Sequence, residues 1–409
     1  MAARPHPVRL VVIDDLHRSR LTVFFRVLLA IPHFFWFGLF SVGAFFIAFI
    51  NWFATLAMGR SPKGLHDFLA GYVRYATHLF AYLFLAANPY PPFYVGSPQS
   101  QYPVDVSIDP PAPQNRWITG FRIILAIPAL LFSIALSGGG SVSSSRGGSM
   151  GGVSAVAAVC MWFSSLVRGR SPRGLRDFVA WSVAYTAQVY AYLFLLTDRY
   201  PNSNPLSFLA ELEPPEVEGR PQLVNTDDLR RSRLSVFFRL LLSVPHIVWL
   251  LLWTVAALLA AVANWFVTLV RGRPAGPLAR FLSAFVRYST HVNAFLWVVA
   301  NPFPGFVGAA GSYPVDVEIA PPGRQSRWIT GFRILLALPA LLLSSALNWV
   351  LYIAGFMIWF YALVLGRAPA GLQSAGAYTL GYSAQLSCYL YALTDRYPHS
   401  SPLAVLRRT

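Results

Sequence analysis

Arg74 and His78 stand four residues apart inside the apolar stretch from Leu65 to Ala87, and Arg287 and His291 repeat the arrangement. Side chains at that spacing share one face of a helix. Counted from the preceding turn, Arg74 falls near the middle of a helix of about 23 residues. Antiparallel packing on the previous helix brings Asn51 to the same depth, and Asn264 beside Arg287. An arginine at the centre of a bilayer costs at least about 2.5–3.5 kcal/mol, so it should face protein or water. Such a residue is by default a candidate ligand or ion site. The plainer alternative is a buried hydrogen-bonded network holding helices together, with Asn51, Tyr75 or Asp67 as partners. Asp67 is not a general partner, because Arg280 stands at its place in the second copy.

A second set of arginines recurs in pairs six residues apart: Arg20 and Arg26, Arg116 and Arg122, Arg233 and Arg239, Arg327 and Arg333. Each pair precedes a proline at the edge of an apolar run. Guanidinium groups there can bind lipid phosphates bidentately while their stems lie along apolar surface. All eight are therefore candidates for anionic headgroups, against the plainer readings of generic interfacial anchoring or salt bridges to Asp14, Asp15, Asp227, Asp228 and Glu318. Trp52, Trp162, Trp265 and Trp359 read as aromatic anchors at the membrane interface. Other chemistries find no footing. There is no P-loop, HExxH pattern or Cys-rich metal spacing, and no nucleophile with an attendant base. His33 and His246 read as hydrogen-bonded anchors, and Cys160 and Cys388 make neither a disulfide framework nor a metal cluster. No catalytic residue, metal or cofactor is expected.

The elements that must position these side chains follow from composition and repetition. The 409 residues are 56% hydrophobic, 15% aromatic and 12% charged, where a soluble domain carries about 25% charged residues. Mean hydropathy is +0.51. Too few polar residues remain to coat a soluble surface, so most of the chain should face lipid. The net charge is +16, but the arginines sit singly at the edges of apolar runs, not in the basic strips that bind nucleic acid. An anionic membrane surface fits better.

Self-similarity is the strongest signal. Arg20, Arg26, Pro32, His33, Asn51 and Trp52 reappear as Arg233, Arg239, Pro245, His246, Asn264 and Trp265, and Tyr102, Asp105 and Arg116 reappear as Tyr313, Asp316 and Arg327. Arg20, Arg26 and Pro32 also match Arg116, Arg122 and Pro128, so each half is itself a pair. Four units result, at 1–93, 94–205, 221–306 and 307–409, with an acidic linker at 206–220 carrying Glu211, Glu213, Glu216 and Glu218.

Each unit runs through a short alternating strand, an arginine-marked amphipathic stretch, a long apolar helix such as 33–58, a turn and a second helix such as 65–87. The first helix, about 25 residues and so about 37 Å, is long enough for a bilayer core of about 30 Å. In the turn Gly59-Arg60-Ser61-Pro62, glycine suits a left-handed helix end, serine a cap and proline a first turn. Two crossings per unit predict eight transmembrane helices with both termini on one face, and the Lys/Arg balance puts that face in the cytoplasm. The second unit departs through a Gly/Ser insert at 137–152, read as a flexible loop or as a broken helix lining a polar cavity.

The phrase Phe25-Arg26-Val27-Leu28-Leu29-Ala30-Ile31-Pro32-His33, the turn Gly-Arg-x-Pro-x-Gly-Leu and an exit such as Leu196-Thr197-Asp198-Arg199-Tyr200-Pro201 resemble bacterial integral-membrane proteins, common in actinobacteria. Those proteins are grouped as domain-of-unknown-function family 4389. All four units carry the resemblance; the third departs at Arg273-Pro274-Ala275-Gly276-Pro277 and the second at its insert. The resemblance implies a multi-spanning membrane protein and supplies no catalytic or transport residue. The expectation is an all-α integral protein of a bacterial inner membrane, in two pseudo-symmetric halves with four short cytoplasmic strands. It would be a non-enzymatic scaffold or accessory subunit engaging anionic lipid headgroups and a membrane-protein partner or a second copy, without nucleic acid. The alternative is a transporter or channel with Asn51, Arg74, His78, Asn264, Arg287 and His291 at its midplane.

Overall fold

The computed structural model describes residues 6–93, 102–138 and 152–407. The chain forms two compact units, Met1–Ser203 with Ser207–Leu212, and Asn204–Leu206 with Glu213–Thr409.

In the first half, strand β1 (Val8–Val12) leads into short helices α1 (Arg20–Phe24) and α2 (Arg26–Leu29), then α3 (Ile31–Met58) and α4 (Lys63–Leu83). Strand β2 (Val104–Ile108) opens the second repeat, followed by α5 (Arg116–Gly120), α6 (Arg122–Ser137), α7 (Val153–Arg168), α8 (Arg173–Leu193) and the short α9 (Pro205–Phe208). The second half repeats the order. Strand β3 (Gln222–Asn225), α10 (Arg233–Phe237), α11 (Arg239–Arg271) and α12 (Gly276–Leu296) make its first repeat. Strand β4 (Val315–Glu318), α13 (Arg327–Leu365), α14 (Ala370–Leu390) and α15 (Pro402–Val405) make its second.

The turns form for the reasons their residues give. Gly59, Gly169, Gly272 and Gly366 end the long helices with φ of 72°, 69°, 67° and 69°, the left-handed conformation that glycine adopts without a Cβ clash. Ser61 does not cap α4. Its hydroxyl donates instead to Asn51 Oδ1 at 2.7 Å, and Pro62 occupies the cap position. The prolines expected to close the amphipathic stretch lie inside continuous helices as Pro128, Pro245 and Pro339; only in the first repeat does a new helix begin beside Pro32.

Each half is layered. The second helices α4 and α8 pack on each other at the centre, with the long helices against them. Strand β1 pairs antiparallel with β2, Val8 opposite Ile108, and this ribbon also lies on α4 and α8. Neighbouring residues of α4 show the layers. Tyr72 stacks on Phe37 of α3, whereas Arg74, about 200° further round the helix, bonds to Asp105 of the ribbon. Strands β3 and β4 pair likewise, Gln222 opposite Glu318. Buried Leu69, Val73, Val106 and Ala187 join the layers of the first half, and Leu282, Val286, Val317 and Ala384 those of the second.

Within each half the two repeats run antiparallel. The Gln114 amide, at the start of the second repeat, donates to Gly59 O at the end of α3. The Arg18 amide, at the start of the first, donates to Gly169 O at the end of α7. The same exchange joins Gln325 to Gly272 and Arg231 to Gly366. One repeat's hairpin turn therefore sits beside the other's entry. That arrangement removes the basis for counting all hairpins on one face and both termini on the other.

Eight crossings are not found. Among the described residues three helices, Ile31–Met58, Arg239–Arg271 and Arg327–Leu365, are long and apolar enough to cross a membrane. The second helices are not among them: polar side chains interrupt their apolar runs, and those side chains are taken into the core. All but four residues of the α8 span are buried, Arg176, Asp177, Ser182 and Gln188 among them. In the second repeat the long helix is divided into α6 and α7, each shorter than a span. The path of the insert lies outside the described residues. Its two ends meet: a Cβ on Gly152 would collide with the Gly138 backbone, and Ser154 Oγ donates to Leu136 O at 2.9 Å. The two helices thus continue one another as α13 does unbroken.

Candidate functional site

The inner arginine of each pair is buried. Arg26, Arg122, Arg239 and Arg333 are 0–2% exposed. Arg26 donates from Nη1 to Tyr82 O at 2.5 Å and Ala87 O at 2.9 Å, and from Nη2 to Asn88 Oδ1 at 3.3 Å. Its guanidinium carbon lies 4.3 Å from the Tyr82 ring centre. Arg122 repeats this with Tyr192 O and Thr197 O, Arg239 with Phe295 O and Ala300 O, and Arg333 with Tyr389 O and Thr394 O. In the even repeats the third acceptor is the Oε1 of Gln114 or Gln325, at 2.6 Å.

The last carbonyls of a helix lack partners and carry the negative end of its dipole. Each inner arginine is a cationic clamp on the end of the second helix of its own repeat. Burial lowers Arg26 to about 10, against the attraction of Tyr82, so it stays charged at neutral pH. Beside the clamp the chain turns through a left-handed residue, Leu85, Leu195, Val298 or Ala392. The carbonyls of these residues are held by Arg18, Gln114, Arg231 and Gln325. Arg26, Arg122, Arg239 and Arg333 are therefore not at the surface where headgroups would reach them; their Nη1 donors are turned to the protein's own backbone.

The outer members differ. Arg20, Arg116, Arg233 and Arg327 are exposed, and the first three donate to Val167 O, Ala57 O and Val364 O at 3.0 Å, at the end of the long helix of the other repeat. Trp52, Trp162, Trp265 and Trp359 make the same crossing, donating to Thr119 O, Val23 O, Thr330 O and Val236 O at 2.7–3.1 Å.

Within each half the three midplane candidates do not assemble into one site. Asn51 Nδ2 donates to Phe194 O and Asn264 Nδ2 to Tyr391 O, both at 2.9 Å, at the turns beside the hairpins. Arg74 and His78 meet neither Asn51 nor Asp67 but Asp105 of β2. Arg74 Nε donates to Oδ1 at 3.1 Å and Nη2 to Oδ2 at 2.5 Å, and His78 Nε2 lies 2.8 Å from Oδ1. The Val106 amide adds a bond at 2.8 Å, and the Tyr102 ring stacks on His78 at 4.4 Å. Burial pushes Asp105 up, but the bonds from His78 and Arg74 outweigh it and hold the carboxyl below its ordinary value.

The second copy loosens this cluster. His291 Nε2 is 2.8 Å from Asp316 Oδ1, while Arg287 donates to Val317 O at 3.1 Å. The Gly311 amide reaches Asp316 Oδ2 at 2.5 Å. In even repeats Gln188 and Gln385 stand at the histidine position and bind backbone, Gln188 reaching Val8 O and Gln385 reaching Pro221 O.

Asp105 and Asp316 were missed as site residues, although both recur inside an otherwise apolar alternation, Val104-Asp105-Val106 and Val315-Asp316-Val317. An acid held between valines in both halves was the available signal.

The fourfold clamp matches the fourfold result of comparison. The model of the family described as Domain of unknown function (DUF4389) matches residues 20–95, 148–203, 233–307 and 327–401. The chain belongs to this family. Each DUF4389 segment contains a second helix, and three of the four also contain the inner arginine that clamps it; Arg122 lies before the matched part of the second repeat. No curated protein and no solved structure matches the chain. Among the described residues no group of His, Cys, Asp or Glu could hold a metal ion.

Proposed function

We propose that this DUF4389 chain is a membrane-embedded, non-enzymatic scaffold or accessory subunit. In this reading it meets anionic headgroups through its outer arginines and leaves its long helices to lipid and to a membrane-protein partner. One observation carries the proposal. The outward sides of α3, α11 and α13 are apolar and exposed, whereas the inner arginines Arg26, Arg122, Arg239 and Arg333 bind the protein's own carbonyls. A patch of that extent on a chain in water would drive aggregation; in lipid it is the ordinary surface. The headgroup contact falls to Arg20, Arg116, Arg233 and Arg327, which are exposed at the ends of those helices.

The test is flotation of the purified protein with vesicles of phosphatidylethanolamine, with and without phosphatidylglycerol. Changing the four outer arginines together to Gln should leave membrane association intact and weaken its preference for phosphatidylglycerol. Recovery of the wild-type chain from the aqueous fraction would overturn the reading.

A transporter is the second reading, favoured by the antiparallel repeats inside each half, an arrangement from which many transporters are built. It requires Asp105, Arg74 and His78 to exchange their present partners for a solute. Solute-driven flux in sealed proteoliposomes, lost in Asp105→Asn, would favour it over a scaffold.

A further inference from the structure

The long helices need not cross the membrane to be covered by it. We infer that each half lies in one leaflet, with its long helices parallel to the membrane plane and its ribbon on the aqueous side. The inference rests on the membrane-embedded reading above and specifies how the chain meets lipid.

Three features of the first half converge on this orientation. The apolar surface is one-sided. Phe35, Phe45 and Phe49 of α3, and Ile123, Ile127 and Phe163 of α6 and α7, are exposed, and both long helices pack on the α4–α8 pair that the ribbon also covers. The ribbon carries exposed charge: Arg9 Nη2 and Asp109 Oδ1 form an ion pair at 3.0 Å, their side chains 51% and 46% exposed. This ribbon lies within the length of the buried helices and not beyond their ends, since Asp105 binds Arg74 and Val8 binds Gln188. A bilayer crossed along those helices would hold that exposed ion pair in or beside hydrocarbon, where charged side chains are costly.

Charge at the ends supplies the third feature. Because the repeats are antiparallel, Arg20 and Arg170 are exposed at one end of the half, and Arg60, Lys63 and Arg116 at the other. With the half lying flat, both ends reach the headgroups of the same leaflet. The dimensions agree. A helix is about 10–12 Å across with its side chains, which fits one leaflet of a core about 30 Å thick. The second half repeats the design with a helix better suited to lying flat than to crossing: α13, at 39 residues, is about 58 Å long. Amphipathic elements that lie at the interface bury themselves by about 5–10 Å.

The experiment uses the full chain with Cys160→Ser and Cys388→Ser, in sealed membrane vesicles of one orientation, and a membrane-impermeant maleimide. Ser19→Cys and Lys63→Cys mark the two ends of α3 and α4, and Ser107→Cys marks the ribbon. Lying flat, all three react or all three are shielded together. If Ser19→Cys and Lys63→Cys divide, one reacting only after permeabilisation, the helices cross and the inference fails while the scaffold reading stands. A second measurement is independent of sidedness. Spin labels at Phe35→Cys and Phe49→Cys, about 21 Å apart along the helix, should report equal depth; depths differing by most of that separation overturn the inference. Loss of the wild-type chain from floated vesicles would instead remove the membrane reading itself.

Discussion

Arg26 lies over the ring of Tyr82, 4.3 Å from its centre, and donates to the carbonyl oxygen of the same residue. One side chain thus closes a helix end twice, by charge and by stacking. The geometry recurs three times, at Arg122 with Tyr192, Arg239 with Phe295 and Arg333 with Tyr389.

Arg122→Gln should cost at least about 3 kcal/mol, because each bond from a charged donor to a buried carbonyl is worth about 1.5–3 kcal/mol. Arg116→Gln, on an exposed neighbour, should stay within about 0.5 kcal/mol. Thermal unfolding in detergent separates the two. Equal effects would mean that the burial difference between the two arginines does not govern stability.

Asp105→Asn should destabilise the first half by about 3–5 kcal/mol, since it removes the buried carboxylate that both Arg74 and His78 face. The matching Asp316→Asn should cost less, because Arg287 donates to Val317 O and not to the acid. Chemical denaturation of both variants checks the order. A double change, Arg74→Met with Asp105→Leu, should recover most of the loss, as buried pairs replaced by apolar residues often do.

Asp105 also sets an acid limit. Its folded value is lowered, by the bonds from His78 and Arg74 prevailing over burial. Its contribution is therefore complete above the ordinary carboxylate value of about 3.9 and is lost as pH falls below that through the folded value. Between pH 7 and 5 this group should leave the thermal midpoint unchanged. Below about pH 3.9 the wild type should fall more steeply than Asp105→Asn, which carries no such titration.

Trp52→Phe and Trp162→Phe each remove one hydrogen bond between repeats and should cost about 1 kcal/mol apiece. The two bonds lie at opposite ends of the first half, so the losses should add within about 0.5 kcal/mol. Thermal midpoints of the single and double variants decide this.

Excision of residues 139–151 should leave the fold and its thermal midpoint essentially unchanged, because Gly138 and Gly152 already touch. Circular dichroism with a melting curve is sufficient. A large drop would show that the insert supports the first half.

The sequence made some of this architecture readable and hid the rest for physical reasons. The glycine turns and the number of repeats were legible because a left-handed helix end and a recurrent spacing are local facts. The direction of each repeat was not, because the same spacing results whether copies run parallel or antiparallel. A clue lay in the stretch from Asn88 to Asn115, long enough to travel the whole length of a helix. Arg20 and Arg26 looked equivalent as interfacial cations. At about 100° per residue, six residues turn the second arginine about 240° from the first, one outward and one into the core. The second helices misled through composition, since Tyr, His and Arg at core positions resemble polar breaks in a span. Arg74 gave no hint that its partner would come from the next repeat, in a strand 31 residues on.

The antiparallel exchange between repeats bears on ancestry. Arg20 reaches Val167 and Arg116 reaches Ala57, so each repeat offers the acceptor that the other requires. Two identical short polypeptides packed antiparallel about a twofold axis would satisfy the same bonds, because a contact from one copy is returned by the other. The present half has the form such a pair would take if joined end to end, with Gln114 and Gln188 standing where the first repeat has Arg18 and His78.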